Sequence, residues 1–218
     1  MPTAPFCSGD PQKAKVLVIG HDPRLREAQI LANHAFFADY YFKPIPTRIN
    51  ERAKYNLAEA VFNYIGHLTS YKYCADRIVL TNLCNEGLPR TPRGTVYIPE
   101  EKAIQGISEI RNILNGSDIE IIFAMSAQVN YWLQKLGFYP AVDKYISAAE
   151  PKKRGVINEP PYYVQTLAKA FIMICGKRYH TGDDRIVVPI LHVRNWPLRG
   201  PFARAYAKSV EACINALK

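Results

Sequence analysis

Four short apolar runs, separated by amphipathic stretches, are the feature that most limits how this chain can fold. Each run is apolar almost throughout its centre, which is typical of strands that helices cover on both faces. The runs are Lys15–Ile19, Arg77–Thr81, Ile119–Ala124 and Arg185–Leu191. Because parallel strands that alternate with helices are joined by right-handed crossovers, this pattern predicts an α/β domain with a parallel sheet.

Helical spacing is present between and after these runs. Apolar residues recur at steps of three and four in four segments, as one buried face of a helix requires. The four stripes are Ala58, Val61, Phe62, Ile65 and Leu68; Ala103, Ile107, Ile110 and Leu114; Val129, Trp132, Leu133 and Leu136; and Phe202, Tyr206, Val210, Cys213 and Leu217. Ser126 is placed to cap the third helix, whereas Val164–Cys175 fits either a helix or a buried strand. A chain of 218 residues, 48% of them hydrophobic, is predicted to form a single domain over residues 1–218.

Three of the four predicted strands are followed by a side chain that is capable of chemistry. Asp22 follows the first strand, Asn82 the second and His192 the last. The carboxylate can hold a water, the amide offers a donor and an acceptor in one plane, and the imidazole can donate to a developing anion. Because the carboxyl ends of parallel strands share one edge of a sheet, the three side chains are expected to meet at one crevice.

Each of these residues also has a purely structural interpretation. Asp22 precedes a proline and suits a helix N-cap, Asn82 suits a turn, and His192 suits a hydrogen-bonded core position. The occurrence of all three at strand ends favours a common site over three unrelated structural roles.

The excess of basic residues favours a polyanionic partner. Lysine and arginine number 28 against 19 aspartates and glutamates, which gives a formal net charge of +9. Arginines recur beside the predicted strand ends, where a rim that binds phosphates would need them. They are Arg24 and Arg26, Arg90 and Arg93, and Arg194 and Arg199.

The motifs at the strand ends resemble those of the uracil-DNA glycosylase superfamily. The family carries GQDPYH after its first strand, an LLLN-type strand and an HPSPLS-type motif after its last strand. This chain has GHDPRL at Gly20–Leu25, IVLTN at Ile78–Asn82 and HVRNWPL at His192–Leu198, in the same order. For a divergent member, the resemblance implies a three-layer α/β/α fold with a four-stranded parallel sheet. It also implies hydrolysis of the N-glycosidic bond of a damaged base that is flipped out of DNA.

The resemblance further implies the roles of individual residues. Asp22 would position the attacking water and stabilise the positively charged sugar, and His192 would stabilise the departing base anion. Asn82 would pair with the edge of the base, and His21, in place of the family's glutamine, is also assigned to base binding. An aromatic ring would stack on the base, and this ring is either Phe36 or Phe37.

The predicted DNA contacts come from the arginines and from one apolar wedge. Leu198 resembles the family's intercalating leucine, and Trp196 is an equal candidate for filling the gap that a flipped nucleotide leaves. Arg24 stands where the uracil-specific branch carries a tyrosine, so strict selectivity for uracil is not implied. The residues assigned to DNA binding are Arg24, Arg90, Arg93, Arg194, Trp196, Leu198 and Arg199.

The sequence thus predicts a DNA glycosylase that removes uracil or a related deaminated base. One alternative is a glycosylase-like protein without turnover that recognises damaged or abasic DNA. It is motivated by Arg24 and by Val193–Asn195, which replace a serine-proline pair of the family. A small-molecule nucleotide-binding protein is disfavoured, because GHDPRLR is neither a GxGxxG loop nor a GK[ST] loop.

Cysteine usage and hydropathy predict the compartment. The five cysteines are odd in number and never form a CxxC pair, which favours buried thiols over disulfides, zinc or an iron–sulfur cluster. No apolar stretch approaches the roughly 20 residues that a membrane span needs, and the first residues do not form a secretory signal. We therefore expect a monomeric cytoplasmic protein that has DNA as its partner and needs no metal or cofactor.

Overall fold

The computed structural model describes residues 10–21, 64–85, 88, 98–150, 170–192 and 207–212. The strands and α-helices whose bounds lie wholly within these ranges are β1 (Val16–Gly20), β2 (Ile78–Asn82), α1 (Glu100–Leu114), β3 (Ile121–Met125), α2 (Ala127–Lys135), α3 (Asp143–Ala149), β4 (Tyr179–His180) and β5 (Ile186–Ile190). Residues 64–68 and 207–212 are also helical. The α/β class predicted from the sequence is therefore confirmed.

The strands form one five-stranded sheet in the order β2-β1-β3-β5-β4. β1 pairs in parallel with both β2 and β3, and β3 pairs in parallel with β5. β4 instead runs antiparallel to β5, with Tyr179 opposite Val187. The sheet is therefore mixed and has five strands, where the sequence predicted four parallel ones.

The additional strand belongs to a hairpin that ends in β5. The backbone N–H of Thr181 donates to the carbonyl of Arg185 at 2.9 Å, which closes the turn between β4 and β5. This turn lies in the segment YHTGDDR. The strand itself was missed because two residues are too few to show an apolar pattern.

The parallel strands owe their apolar sequences to burial on both faces. Val16–Ile19 and all five residues of β3 are buried, so neither strand alternates between a dry face and a wet one. Each predicted apolar run begins one or two residues before the strand that the structure shows there.

The helices bury the stripes that their spacing predicted. In α1, Ala103, Ile107, Ile110 and Leu114 all face the core. Val210 is buried in the helical segment 207–212, as its place in the last stripe requires. The segment Val164–Cys175 was expected to be either a helix or a buried strand. In its described part, residues 170 and 171 are helical.

The short helix α3 was not predicted. It has seven residues and only two of them, Tyr145 and Ala149, are buried, so its sequence carries no stripe. Its position is fixed by the Tyr145 hydroxyl, which donates to the carbonyl of Ala127 at the start of α2.

The described cysteines differ in exposure. Cys84 and Cys175 are buried, as expected, and burial raises the pKa of the Cys175 thiol. Cys74 is exposed, contrary to that expectation, because it lies in the surface turn before β2. Among the described residues, no helix is long and apolar enough to span a membrane.

Candidate functional site

The strand order predicts a ligand-binding crevice at the carboxyl edge of the sheet. The chain leaves β1 for β2 on one side and reaches β3 on the other side of β1. In open α/β sheets, ligands bind outside the carboxyl ends of the strands at such a switch of direction. The candidate ligand-binding residues are therefore those at the ends of β1 and β3, together with those at the ends of the neighbouring strands β2 and β5.

Gly20 and Asn82 end adjacent strands and lie opposite each other in the sheet. Hydrogen bonding continues beyond them: the N–H of Leu83 donates to the carbonyl of Gly20 at 2.8 Å, and that of Cys84 donates to His21 at 3.1 Å. His21 is thus held beside the end of β2. Asp22 is the next residue of the sequence and lies outside the described residues.

The side chain of Asn82 is half-buried at this edge, and its amide makes no hydrogen bond to any residue that the structure describes. Its oxygen lies against Gly20, so closely that a Cβ atom at position 20 would overlap it. Among the described residues, the donors and the acceptor of this amide are thus unused.

The backbone behind Asn82 is held by a second close approach. Gly106 of α1 packs against the main chain of Leu83, and a Cβ atom at position 106 would overlap the carbonyl oxygen of Leu83. Helix α1 can come this near only because position 106 has no side chain. The end of β2 is consequently fixed between β1 and α1.

Ser126 follows the end of β3 at the same carboxyl edge. Its backbone has φ of 92° and ψ of 155°, a conformation that residues other than glycine rarely adopt. Its hydroxyl accepts a hydrogen bond from the N–H of Val129 at 3.5 Å, so the predicted N-cap of α2 is confirmed. Its own N–H donates to the carbonyl of Ile190 at 2.9 Å, which ties the ends of β3 and β5 together.

A buried polar network supports the Ser126 turn from behind. The amide nitrogen of Asn130 donates to the carbonyls of Ala124 and Ser126, both at 2.7 Å. The hydroxyl of Tyr139 donates to the Asn130 amide oxygen at 2.6 Å and accepts from the Gln134 amide at 3.0 Å. Burial raises the pKa of Tyr139 well above its ordinary value, so the hydroxyl keeps the proton that it donates.

The sequence did not single out Ser126 as a site residue. Its serine type and its place between a strand and a helix predict a cap, and they say nothing about its left-handed backbone. The polar residues of α2 were the available signal, because Gln128, Asn130 and Gln134 interrupt an otherwise apolar helix and are all buried.

His192 is the second residue after β5 and is half-buried at the same edge. β3 lies between β1 and β5, so the ends of β1 and β5 are about 10 Å apart at two strand spacings. The structure thus brings His21, Asn82 and His192 to one edge of the sheet, with the end of β3 between His192 and the other two.

The remaining predicted site residues lie outside the described residues. These are Asp22, Arg24, Phe36, Phe37, Arg90, Arg93, Arg194, Trp196, Leu198 and Arg199.

The polar side chains of the hairpin between β4 and β5 are paired with one another. His180 Nδ1 lies 2.9 Å from the carboxylate of Asp184, the Thr181 hydroxyl donates to Asp183, and Arg185 pairs with Asp183. Within the part of the chain that the structure describes, no three histidine, cysteine, aspartate or glutamate side chains form a group that could hold a metal.

No protein-family model matches the chain, and no curated protein matches its sequence at a significant level. The evidence on function is therefore the geometry of the carboxyl edge together with the motifs that lead into it.

Proposed function

We propose that this protein is a DNA glycosylase that hydrolyses the N-glycosidic bond of uracil or a related deaminated base flipped out of DNA. The observation on which the proposal rests is the shared carboxyl edge. The end of β1 that leads into Asp22, the amide of Asn82 and the imidazole of His192 all belong to it. The same proposal assigns the three-layer arrangement of the uracil-DNA glycosylase superfamily to the whole chain.

The chemistry needs few groups because the leaving group is a nucleobase. Glycosidases that release an alkoxide use two carboxyl groups, one of which protonates the leaving oxygen. A nucleobase leaves as a delocalised anion, so one carboxylate and one hydrogen-bond donor suffice. Asp22 would hold the water that attacks the sugar carbon and take its proton, and the bond from that carbon to the base nitrogen would break with its electron pair leaving on the base. His192 would donate a hydrogen bond to the departing anion.

The hydrogen-bonding groups of the Asn82 side chain support its assignment to recognition of the flipped base. A primary amide presents a donor and an acceptor side by side, which matches the adjacent carbonyl and N–H of uracil. A half-buried amide without a partner among the described residues can accept such a base by exchanging hydrogen bonds with water for hydrogen bonds with the base. A base that lacked one of these groups would leave the amide partly unsatisfied and would bind less well.

DNA as the partner is supported by the basic composition and by the places of the arginines. Arg24, Arg90, Arg93, Arg194 and Arg199 follow the strand ends in the sequence, where they would contact phosphates. We assign the stacking ring to Phe36 or Phe37, and the wedge to Trp196 or Leu198.

The test is a panel of oligonucleotides that contain uracil, hypoxanthine or xanthine, in single and double strands, with alkaline cleavage of the abasic product. We expect release of at least one base by the wild-type protein and its loss in Asp22→Asn. Asp118→Asn is the matched control, because Asp118 is exposed at the opposite end of the sheet, and it should keep full activity. Absence of release from every substrate would contradict the proposal.

That same panel distinguishes the alternative of a glycosylase-like protein without turnover. The alternative predicts tight, salt-sensitive binding to damaged or abasic DNA with no released base. It also predicts that Asp22→Asn binds as well as the wild type does.

A further inference from the structure

We infer that Gly20 is a positioning residue, which sets the orientation of the Asn82 amide by leaving space for it at the end of β1. The inference rests on the proposed function, since Asn82 is the group to which that function assigns the base. It adds a residue for which neither the motif nor the strand pattern gives a role.

The first step is the shared face of Gly20 and Asn82. The two residues are partners in adjacent parallel strands, so a side chain at position 20 would point to the same face of the sheet as that of Asn82. An ideal Cβ atom on Gly20 would overlap Asn82 Oδ1, whereas its next neighbours, Thr81 O and Asn82 Cγ, would be 3.5 and 3.6 Å away. The space that a side chain at position 20 would need is thus occupied by the amide.

Backbone conformation does not explain the glycine. Among the described glycines, positive φ occurs at Gly116, Gly137 and Gly176, and Gly20 is not one of them. An alanine could therefore adopt the backbone of position 20, and the obstacle to it is the neighbouring amide.

The backbone of the neighbouring strand cannot move aside easily. The N–H of Leu83 is hydrogen-bonded to the carbonyl of Gly20, and Gly106 packs against the main chain of Leu83 from the other side. The amide of Asn82, by contrast, is the free end of a flexible side chain. A methyl group at position 20 should therefore rotate the amide and leave the fold unchanged.

The orientation is tested directly by NMR of the purified protein, without any substrate. The side-chain NH₂ pair of Asn82 is identified by its absence from the spectrum of Asn82→Ala. We expect this pair to shift in Gly20→Ala while the backbone amide of Leu83 stays protected from exchange. Gly182→Ala is the matched control, because a Cβ atom there would meet no atom within 4 Å, and it should leave the pair in place. An unmoved pair in Gly20→Ala would overturn the inference.

The functional consequence is tested by a double-mutant cycle on base release. We expect Gly20→Ala and Asn82→Ala each to lower kcat/KM by about 10-fold to 100-fold, and the double variant to lose no more than the worse single one. If Gly20→Ala kept the wild-type kcat/KM, position 20 would not act through Asn82. The same would follow if the fold-losses of the two single variants multiplied in the double variant. If the wild type releases no base, the proposed function fails, and the NMR shift alone decides whether Gly20 orients the amide.

The same three variants also test whether Gly20→Ala lowers stability through its contact with Asn82. If Gly20→Ala is destabilised, adding Asn82→Ala should restore the melting temperature, because the amide that the new methyl group meets is then absent. A double variant as unstable as Gly20→Ala would contradict the inference.

Discussion

The two ends of the sheet use polar residues in opposite ways. At the amino edge, Lys15 pairs with Glu120 at 3.0 Å and with Asp118 at 3.6 Å, and Arg185 donates to the carbonyls of Ile119 and Leu114. Hydrogen bonding to Glu120 raises the pKa of Lys15. The charged groups there serve structure, since each is paired with a neighbour.

The carboxyl edge has instead a glycine, an amide, a hydroxyl and an imidazole at its four parallel strand ends. Asn82 has hydrogen-bonding capacity that no described residue uses, and Ser126 is held in an uncommon backbone conformation. Unused hydrogen-bonding capacity and an uncommon backbone conformation are both expected where a ligand binds. The comparison teaches that paired charges mark the structural edge of this sheet, whereas the unused amide of Asn82 marks the candidate site.

The largest effect on stability is expected at Gly106. Alanine in a helix interior usually stabilises by about 1 kcal/mol relative to glycine. Gly106→Ala should nevertheless destabilise the protein by about 3 kcal/mol, because the new methyl group overlaps the backbone of Leu83. Urea unfolding measures the difference, with Gly182→Ala as the control. Unchanged stability would mean that α1 does not fix the end of β2.

His192 provides the next largest effect, and it concerns turnover. His192→Ala should lower the rate of base release by about 100-fold, since a donor to the departing anion is removed. Affinity for DNA, measured by fluorescence anisotropy, should change little. His180→Ala changes a histidine of the β4–β5 hairpin and should have no effect on either quantity. An equal loss of affinity in His192→Ala would assign that residue to DNA binding.

Substitution of Tyr139 tests how much the buried polar network behind Ser126 contributes to stability. Tyr139→Phe should lower the free energy of unfolding by about 2 kcal/mol at pH 7, because Asn130 and Gln134 each lose a buried partner. The exposed Tyr71 provides the control Tyr71→Phe.

The same variant has a defined pH dependence. The folded-state pKa of Tyr139 is raised, so its contribution is complete below the unfolded value of about 10 and is lost as the pH rises above it. The difference in stability between wild type and Tyr139→Phe should therefore narrow in urea titrations above pH 10. A constant difference would contradict the raised pKa.

The smallest effect is expected at the amino edge. Lys15→Gln should lower the melting temperature slightly at low ionic strength, and 0.5 M salt should remove most of the difference. A loss of stability as large as that of Tyr139→Phe would mean that the ion pairs of the amino edge contribute as much as the buried polar network behind the carboxyl edge.

The parts of the fold that could be predicted are those with a repeated pattern. The apolar runs located β1, β2, β3 and β5 to within two residues, and a stripe of four residues located α1. β4 and α3 are too short to show a period. The position of β4 depends on its pairing with Val187, and that of α3 depends on the contact between Tyr145 and Ala127.

For the candidate site, the sequence indicates residue types but not their geometry. Asn82 and His192 could be selected because polar residues at the ends of apolar strands are conspicuous. The contact between Gly20 and Asn82 could not, because it requires knowing that β1 and β2 are neighbours and in which register they pair. The backbone of Ser126 likewise depends on the network of Asn130 and Tyr139.

The hairpin that adds β4 to the sheet also has a consequence for self-association. β4 has only two residues, and beyond it the carbonyl of Pro189 accepts a hydrogen bond from the N–H of Gly176 at 2.7 Å. A proline has no N–H, so β5 has no donor at position 189 for a further strand. This border of the sheet is thereby a poor template for strand-by-strand growth with a second molecule.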